Sequence, residues 1–148
     1  FCFPLATFRV AHPKSVVHGD IYASVEMGAE AQKAALLLTQ HPATKAILAS
    51  GTPGTLATLK VLQEKKLAGT VKLVGFGFNL TPDVAAALDS GAMSGWIAQL
   101  PKEIGTKGIT AALSLIKGET VPAIVHTDFV VITKANLKDE NVQALLAL

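Results

Sequence analysis

Five short β-branched runs recur along this chain, and the interval between them limits the folds open to it. The runs are Ser15–His18, Ala46–Ala49, Val71–Phe76, Ser94–Ala98 and Phe129–Thr133. Measured between Val17, Ile47, Leu73, Ile97 and Val131, the spacings are 30, 26, 24 and 34 residues. Such intervals hold a strand, a helix and their turns, about thirty residues, and are too long for hairpins. Helical patterns fill them. Ala31, Ala34, Ala35 and Leu38 share a face, as do Val84, Ala87 and Leu88. So do Ile109, Ala112, Leu113 and Ile116, and then Val142, Leu145 and Leu146. Pro follows Thr52, Thr81 and Leu100 in predicted first turns, and Gly69, Gly91 and Gly118 mark stops. The alternation predicts an α/β fold, a parallel sheet with helices on both faces joined by right-handed crossovers. Gly118 to Thr127, with Pro122, reads as a longer connection.

Composition removes other classes. The chain has 148 residues, 50% apolar and 16% charged, with a net charge of +2. That suits one domain, or one plus part of another, and is too apolar for disorder. Its longest clean apolar stretches, Ala34–Leu38 and Phe129–Ile132, fall far short of the ~18 residues of a membrane helix. Lys65-Lys66 is the nearest approach to a basic cluster, so no nucleic-acid partner is expected. The single cysteine, Cys2, allows neither an intrachain disulfide nor a cysteine metal cage. The opening Phe1-Cys2-Phe3-Pro4-Leu5 carries no basic leader and reads as processed, truncated or nicked.

In open parallel sheets, ligands sit at the carboxyl ends of strands. One such end is Gly51-Thr52-Pro53-Gly54-Thr55, where bare amides opening a helix can hold an anion. It lacks the Gly-Lys-Ser/Thr ending of a phosphate loop, and Gly75-Phe76-Gly77 lacks a third glycine, so plain turns are favoured. His18 and Asp20 could form an acid–base pair, but no third group accompanies them. His12, His41 and His126 are isolated, and Ser114-Leu115-Ile116-Lys117 lacks the partner motifs of an S-x-x-K site. Neither an enzyme, a cofactor nor a metal is expected. Gln99 is more informative. It ends the apolar run Trp96-Ile97-Ala98, just before Pro101 opens a helix. An amide there suits a hydroxyl-rich ligand, or it caps backbone at a chain crossing. For Trp96 a core position is favoured over sugar stacking.

An ordered set of segments resembles one family. Leu37-Leu38-Thr39-Gln40-His41-Pro42 precedes Ala46-Ile47-Leu48-Ala49, and Lys72-Leu73-Val74-Gly75-Phe76 follows. Then come Thr81-Pro82-Asp83, Asp89-Ser90-Gly91, Ile97-Ala98-Gln99-Leu100-Pro101 and Lys117-Gly118-Glu119-Thr120-Val121-Pro122, ending in Val131-Ile132-Thr133-Lys134-Ala135-Asn136-Leu137. From about Phe8 to Leu137 the chain is similar to the C-terminal half of type I periplasmic sugar-binding proteins of the ribose-binding kind. The resemblance implies two α/β lobes around a hinge, a sugar-like ligand clamped between them, and delivery to the membrane permease of an ABC importer. It also implies export to the periplasm under a signal peptide not present in this chain.

Carried over to this sequence, the resemblance makes 1–99 part of the ligand-binding lobe. It makes 100–126 a crossover helix belonging to the other lobe, and 127–148 a hinge strand and final helix. The family's Asn and Asp at two strand ends align with Gly51 and Gly77, whereas Gln99 keeps the family's polar residue. Asn79 stands where it could replace the missing carboxylate. The expected ligand-binding set is therefore Gln99, Asn79, Gly77, Gly51 and Thr52, around a roomier, less polar pocket for a larger or less hydroxylated ligand. Half of the family's length is missing, including a central strand of this lobe, so the chain is expected to self-associate or to pair with the absent fragment. The effector domain of a LacI-type regulator shares the fold and is the alternative; a Rossmann-like enzyme lacks its fingerprint.

Overall fold

Four of the five expected strands form, and they lie side by side in chain order. The computed structural model describes residues 10–11, 13–17 and 27–146. Within these, α1 (Met27–Gln40) is followed by β1 (Ala46–Ser50), α2 (Thr52–Glu64), β2 (Lys72–Gly77) and α3 (Pro82–Ser90). Then come β3 (Gly95–Gln99), α4 (Pro101–Ile116), β4 (Phe129–Ile132) and a single turn, α5 (Glu140–Gln143), which runs into a 3-10 turn at Ala144–Leu146. The sheet order is β1-β2-β3-β4. β1, β2 and β3 are mutually parallel, as the spacing predicts, while β4 is antiparallel to β3. This reversal has a simple cause. The chain leaves β3 at Gln99 and returns at Phe129, which pairs with Gln99, so β4 enters the sheet from the edge where β3 left it.

The expected strand at Ser15–His18 is corrected: Ser15, Val16 and Val17 adopt no strand. An extended run becomes a strand only by pairing, and among the described residues β1 pairs on one side alone, with β2. His18 lies outside the described residues, as do Cys2, His12 and Asp20.

Helix ends follow local chemistry. The Thr81 hydroxyl accepts from the Val84 amide at 3.4 Å, with Pro82 in the first turn, which opens α3. Gly91, at φ 78°, closes it. The stop assigned to Gly69 falls earlier. Lys66 donates to Gln63 O at 3.0 Å and Leu67 to Leu62 O at 2.7 Å, so α2 ends at Glu64 with Lys66 in the left-handed region. This is the closure usually built on glycine, and burial of Val71 and Leu62 just around it favours the early turn.

The core sits on one face of the sheet. Register aligns Ala49, Gly75, Trp96 and Ile132 in a row across the four strands. Trp96 is wholly buried. Its ring leans over β2: a Cβ on Gly75 would lie 2.6 Å from Trp96 Cε3, and one on Gly77 would lie 2.6 Å from Cη2. Thr55 of α2 closes the other side, 2.5 Å from the Gly75 position, and its hydroxyl is tied to Gly51 O at 2.8 Å. Burying an indole of this size stabilises by roughly 4–6 kcal/mol on area grounds. Val84, Ala87 and Leu88 of α3 join this core, as their spacing predicts.

The opposite face carries less cover than the sequence predicts. Leu48 is 62% exposed, and Phe129 and Val131 are exposed as well. α4 is barer still. None of its residues is buried, and Ile109 and Ile116 of its apolar row are 67% and 81% exposed.

Substituting Gly75→Ala is expected to cost about 1–3 kcal/mol in chemical denaturation, because backbone-borne Cβ meets a ring with nowhere to move. Pairing it with Trp96→Phe is expected to cost less than the two changes summed, since the smaller ring returns the space.

Candidate functional site

Parallel strands end at a common edge, and here that edge gathers Ser50-Gly51-Thr52, Gly77-Phe78-Asn79 and Gln99-Leu100. The structure divides the expected ligand-binding residues into two groups. Asn79 and Gln99 line one cavity of about 540 Å³, together with Phe78, Leu100, Thr106 and Leu145. Both amides are half-buried. The volume lies within the ~300–1,000 Å³ of small-molecule sites. Gly51, Thr52 and Gly77 do not line it.

The second group surrounds Trp96. The room expected beside Gly77 is already taken: its Cβ position lies 2.7 Å from Trp96 Cζ2 and 2.8 Å from Thr52 Oγ1. A missing side chain thus accommodates the neighbouring strand's ring and leaves no enlarged pocket there. Gly51 differs. Its φ of 79° and ψ of 149° belong to a region essentially reserved for glycine, and only Pro53 Cδ lies near, at 3.9 Å. It shapes the turn that starts α2.

The cavity's far wall is the first turn of α4, which is laced to the returning chain. Lys107 Nζ pairs with Glu103 and donates to His126 O at 2.7 Å. The Asp128 amide donates to Glu103 Oε2 at 3.2 Å. The Lys107 hydrogen bond is the main reason the Glu103 carboxyl is held below the usual carboxylate range; partial loss of water opposes it, and the Asp128 amide adds to the lowering. Gln99 therefore sits where two chain crossings are pinned together.

Two groups escaped the sequence reading. Glu30 of α1 is buried, with its carboxylate against Gly54 in the first turn of α2, where no side chain could also fit. The helix N-terminus there favours negative charge, although Oε2 has no hydrogen-bond partner. The Trp96 indole N–H is also buried without a partner. Spacing along one chain carries no trace of either, because each depends on a second element. Among the described residues no three His, Cys, Asp or Glu side chains come together as a metal site, and no helix is long and apolar enough to cross a membrane. Ser114 lies in the last turn of α4 and Lys117 caps it, its amide donating to Ser114 O at 3.1 Å.

Comparison with known proteins adds an independent observation. A family model described as a periplasmic binding protein domain matches residues 6–120. The ribose import binding protein of Escherichia coli K12 is 38% identical over 98 residues, covering 66% of this chain and 32% of that protein. The chain thus spans about a third of the length of that curated relative. An ABC transporter solute-binding protein from Agrobacterium vitis, bound with α-D-tagatopyranose, superposes with a TM-score of 0.81 at 25% identity, over 96% of this chain and 47% of that one. A carbohydrate transporter solute-binding protein from Agrobacterium radiobacter, in complex with D-arabinose, gives 0.76 at 31% identity, over 96% and 48%.

The Glu103 tether has a defined pH dependence. Because the folded carboxyl titrates below its unfolded value, the tether is complete above the usual carboxylate range and is lost as pH falls through the lowered folded value. Amide exchange at Asp128 is expected to accelerate across that acid window, relative to its intrinsic rate. In Glu103→Gln the same amide is expected to lose this step.

Proposed function

Because the chain belongs to the periplasmic binding protein domain family, we propose that it forms most of one lobe of a type I sugar-binding protein serving an ABC importer. The observation that carries this reading is the convergence of Asn79 and Gln99 on one cavity at the carboxyl edge. An amide offers a donor and an acceptor on one planar group, which matches the paired donor and acceptor of a sugar hydroxyl. The relatives named above are import-binding and solute-binding proteins, and together with the family match they support a carrier that binds and releases its ligand in the periplasm without chemical turnover. The same relatives favour the importer over a LacI-type regulator.

In this reading the lobe ends near Gln99. Residues 100–126 cross to a second lobe, and 127–148 return through the hinge. The bare apolar row of α4 supports the crossing, since a helix with no buried residue in its own lobe needs another surface. Gly51, Thr52 and Gly77 contribute backbone shape to the ligand edge, and Gln99 senses closure from its place between the crossings. A ligand draws the lobes together only through contacts that exist in the closed state. Ligand-bound protein then docks on the permease.

The full-length chain carrying these residues is expected to bind at least one of D-ribose, D-tagatose and D-arabinose in titration calorimetry. Gln99→Ala is expected to weaken that binding at least tenfold, about 1.4 kcal/mol; unchanged affinity removes Gln99 from the site. The 148-residue chain alone is expected to associate with itself through its bare surfaces. Light scattering that returns a compact monomer at micromolar concentration contradicts this.

A further inference from the structure

We infer that the ligand carries one carboxylate, as a sugar acid does, and that Lys102 selects it over neutral sugars. The inference rests on the sugar-binding reading above and narrows its substrate class. Three charged side chains line the cavity that holds Asn79 and Gln99: Lys102, Glu103 and Lys107. Two of them cancel. Lys107 pairs with Glu103 and donates to His126 O at 2.7 Å, and Glu103 accepts from the Asp128 amide at 3.2 Å. Lys102 differs: among the described residues no carboxylate lies within ion-pair reach of it. On a helix its partner would stand three or four positions on, and those positions hold Gly105 and Thr106. The Thr106 hydroxyl donates to Lys102 O at 2.8 Å and leaves the ammonium unaddressed. The cavity therefore carries one uncompensated positive charge.

That charge stands in an unfavourable place. Lys102 is in the first turn of α4, a helix of 16 residues, and the helix field opposes a cation at its N-terminal end. α4 also opens at Leu100 with no side-chain cap hydrogen bond, so no capping side chain serves its first amides. A cation set against the helix field is a local conflict of the kind that marks a working site, and a bound anion resolves it. Much of the surrounding wall is apolar, supplied by Phe78, Leu100 and Leu145. Charge in such surroundings needs a partner. One free cation matches one negative charge, which a carboxylate supplies. A phosphate monoester brings nearly two, and Lys107 is already engaged by Glu103 and His126 O. Asn79 and Gln99 then remain for the hydroxyls of the same ligand.

The test is titration calorimetry on the full-length chain carrying these residues. D-Ribose, D-tagatose and D-arabinose are the neutral probes, D-arabinonate and D-galacturonate the open-chain and ring-form acids, and D-ribose 5-phosphate the more highly charged anion. At least one acid is expected to bind about tenfold more tightly than any neutral sugar, with the preference shrinking as salt rises. Lys102→Gln is expected to lower acid affinity relative to neutral-sugar affinity by about tenfold, and Lys102→Arg to keep the preference. The melting temperature of Lys102→Gln is expected to stay level or rise, because a cation leaves the helix N-terminus. Lys117→Gln, the same charge change at the exposed far end of α4, is expected to keep the preference. A neutral sugar bound as tightly as both acids, or a preference that survives Lys102→Gln, overturns the inference and leaves the sugar-binding reading intact. D-Ribose 5-phosphate bound more tightly than either acid overturns the match to a single charge. If the unaltered protein binds none of these ligands, both readings fall.

Discussion

The arrangement at the carboxyl edge depends on how one indole is housed. Trp96 needs more width than its own strand position offers, and it takes that width from β2, where Gly75 and Gly77 carry no side chains. Thr55 caps the gap from α2 while its hydroxyl holds the end of β1. The ring therefore keys β3 to β2, and Thr55 ties the same spot to α2 and β1. Interiors are packed as densely as organic crystals, so such a key admits little sliding. Register follows from it, and register sets the chain just past β2 beside Gln99 at the end of β3, with Asn79 one residue beyond the level of Gln99. The same demand keeps side chains off Gly75 and Gly77, and the first polar side chain beyond the end of β2 is Asn79, two residues past Gly77.

The sheet is closed on the Trp96 face and open on the other. Leu48, Phe129 and Val131 stand on the open side, and α4 projects an apolar row of its own. Apolar surface of this extent, together with the unpaired outer edge of β1 among the described residues, is what a lobe shows when neighbouring elements are supplied by more of the protein or by another chain. The lacing of Glu103, Lys107, His126 and Asp128 is local and polar. It holds the base of the projecting helix in place without covering the helix.

Much of the scaffold was legible in the sequence. Continuous apolar runs mark β1 to β3 because that pattern is what parallel strands carry when both faces are to be covered, and Pro82 and Gly91 bracket α3 by chemistry that needs only neighbouring residues. That Gln99 and Asn79 stand at the carboxyl edge could be read because strand ends are marked locally. Three things were hidden, each for the same reason. Nothing near Gly77 in the chain says that a ring from β3 lies over it, so in the sequence its missing side chain looks like space for a ligand. Glu30 is buried by a glycine two elements away. Lys66 adopts the turn expected of Gly69 because Leu62 and Val71 are drawn inward around it. An amphipathic period along α4 announces that a face wants cover; it carries no information on what supplies it.

The exit at Gln99 and the return at Phe129 lie on adjacent, oppositely running strands. α4 is thus joined to the sheet by a two-ribbon neck, clamped at its root by the contacts of Glu103 and Lys107 with the returning chain. A neck of that kind resists stretching and shear, because both ribbons would have to lengthen or slip past paired amides. Torsion about their common axis disturbs fewest bonds. A twist about that axis is therefore the least costly distortion of the neck, and Gln99 and Phe129 stand at its root.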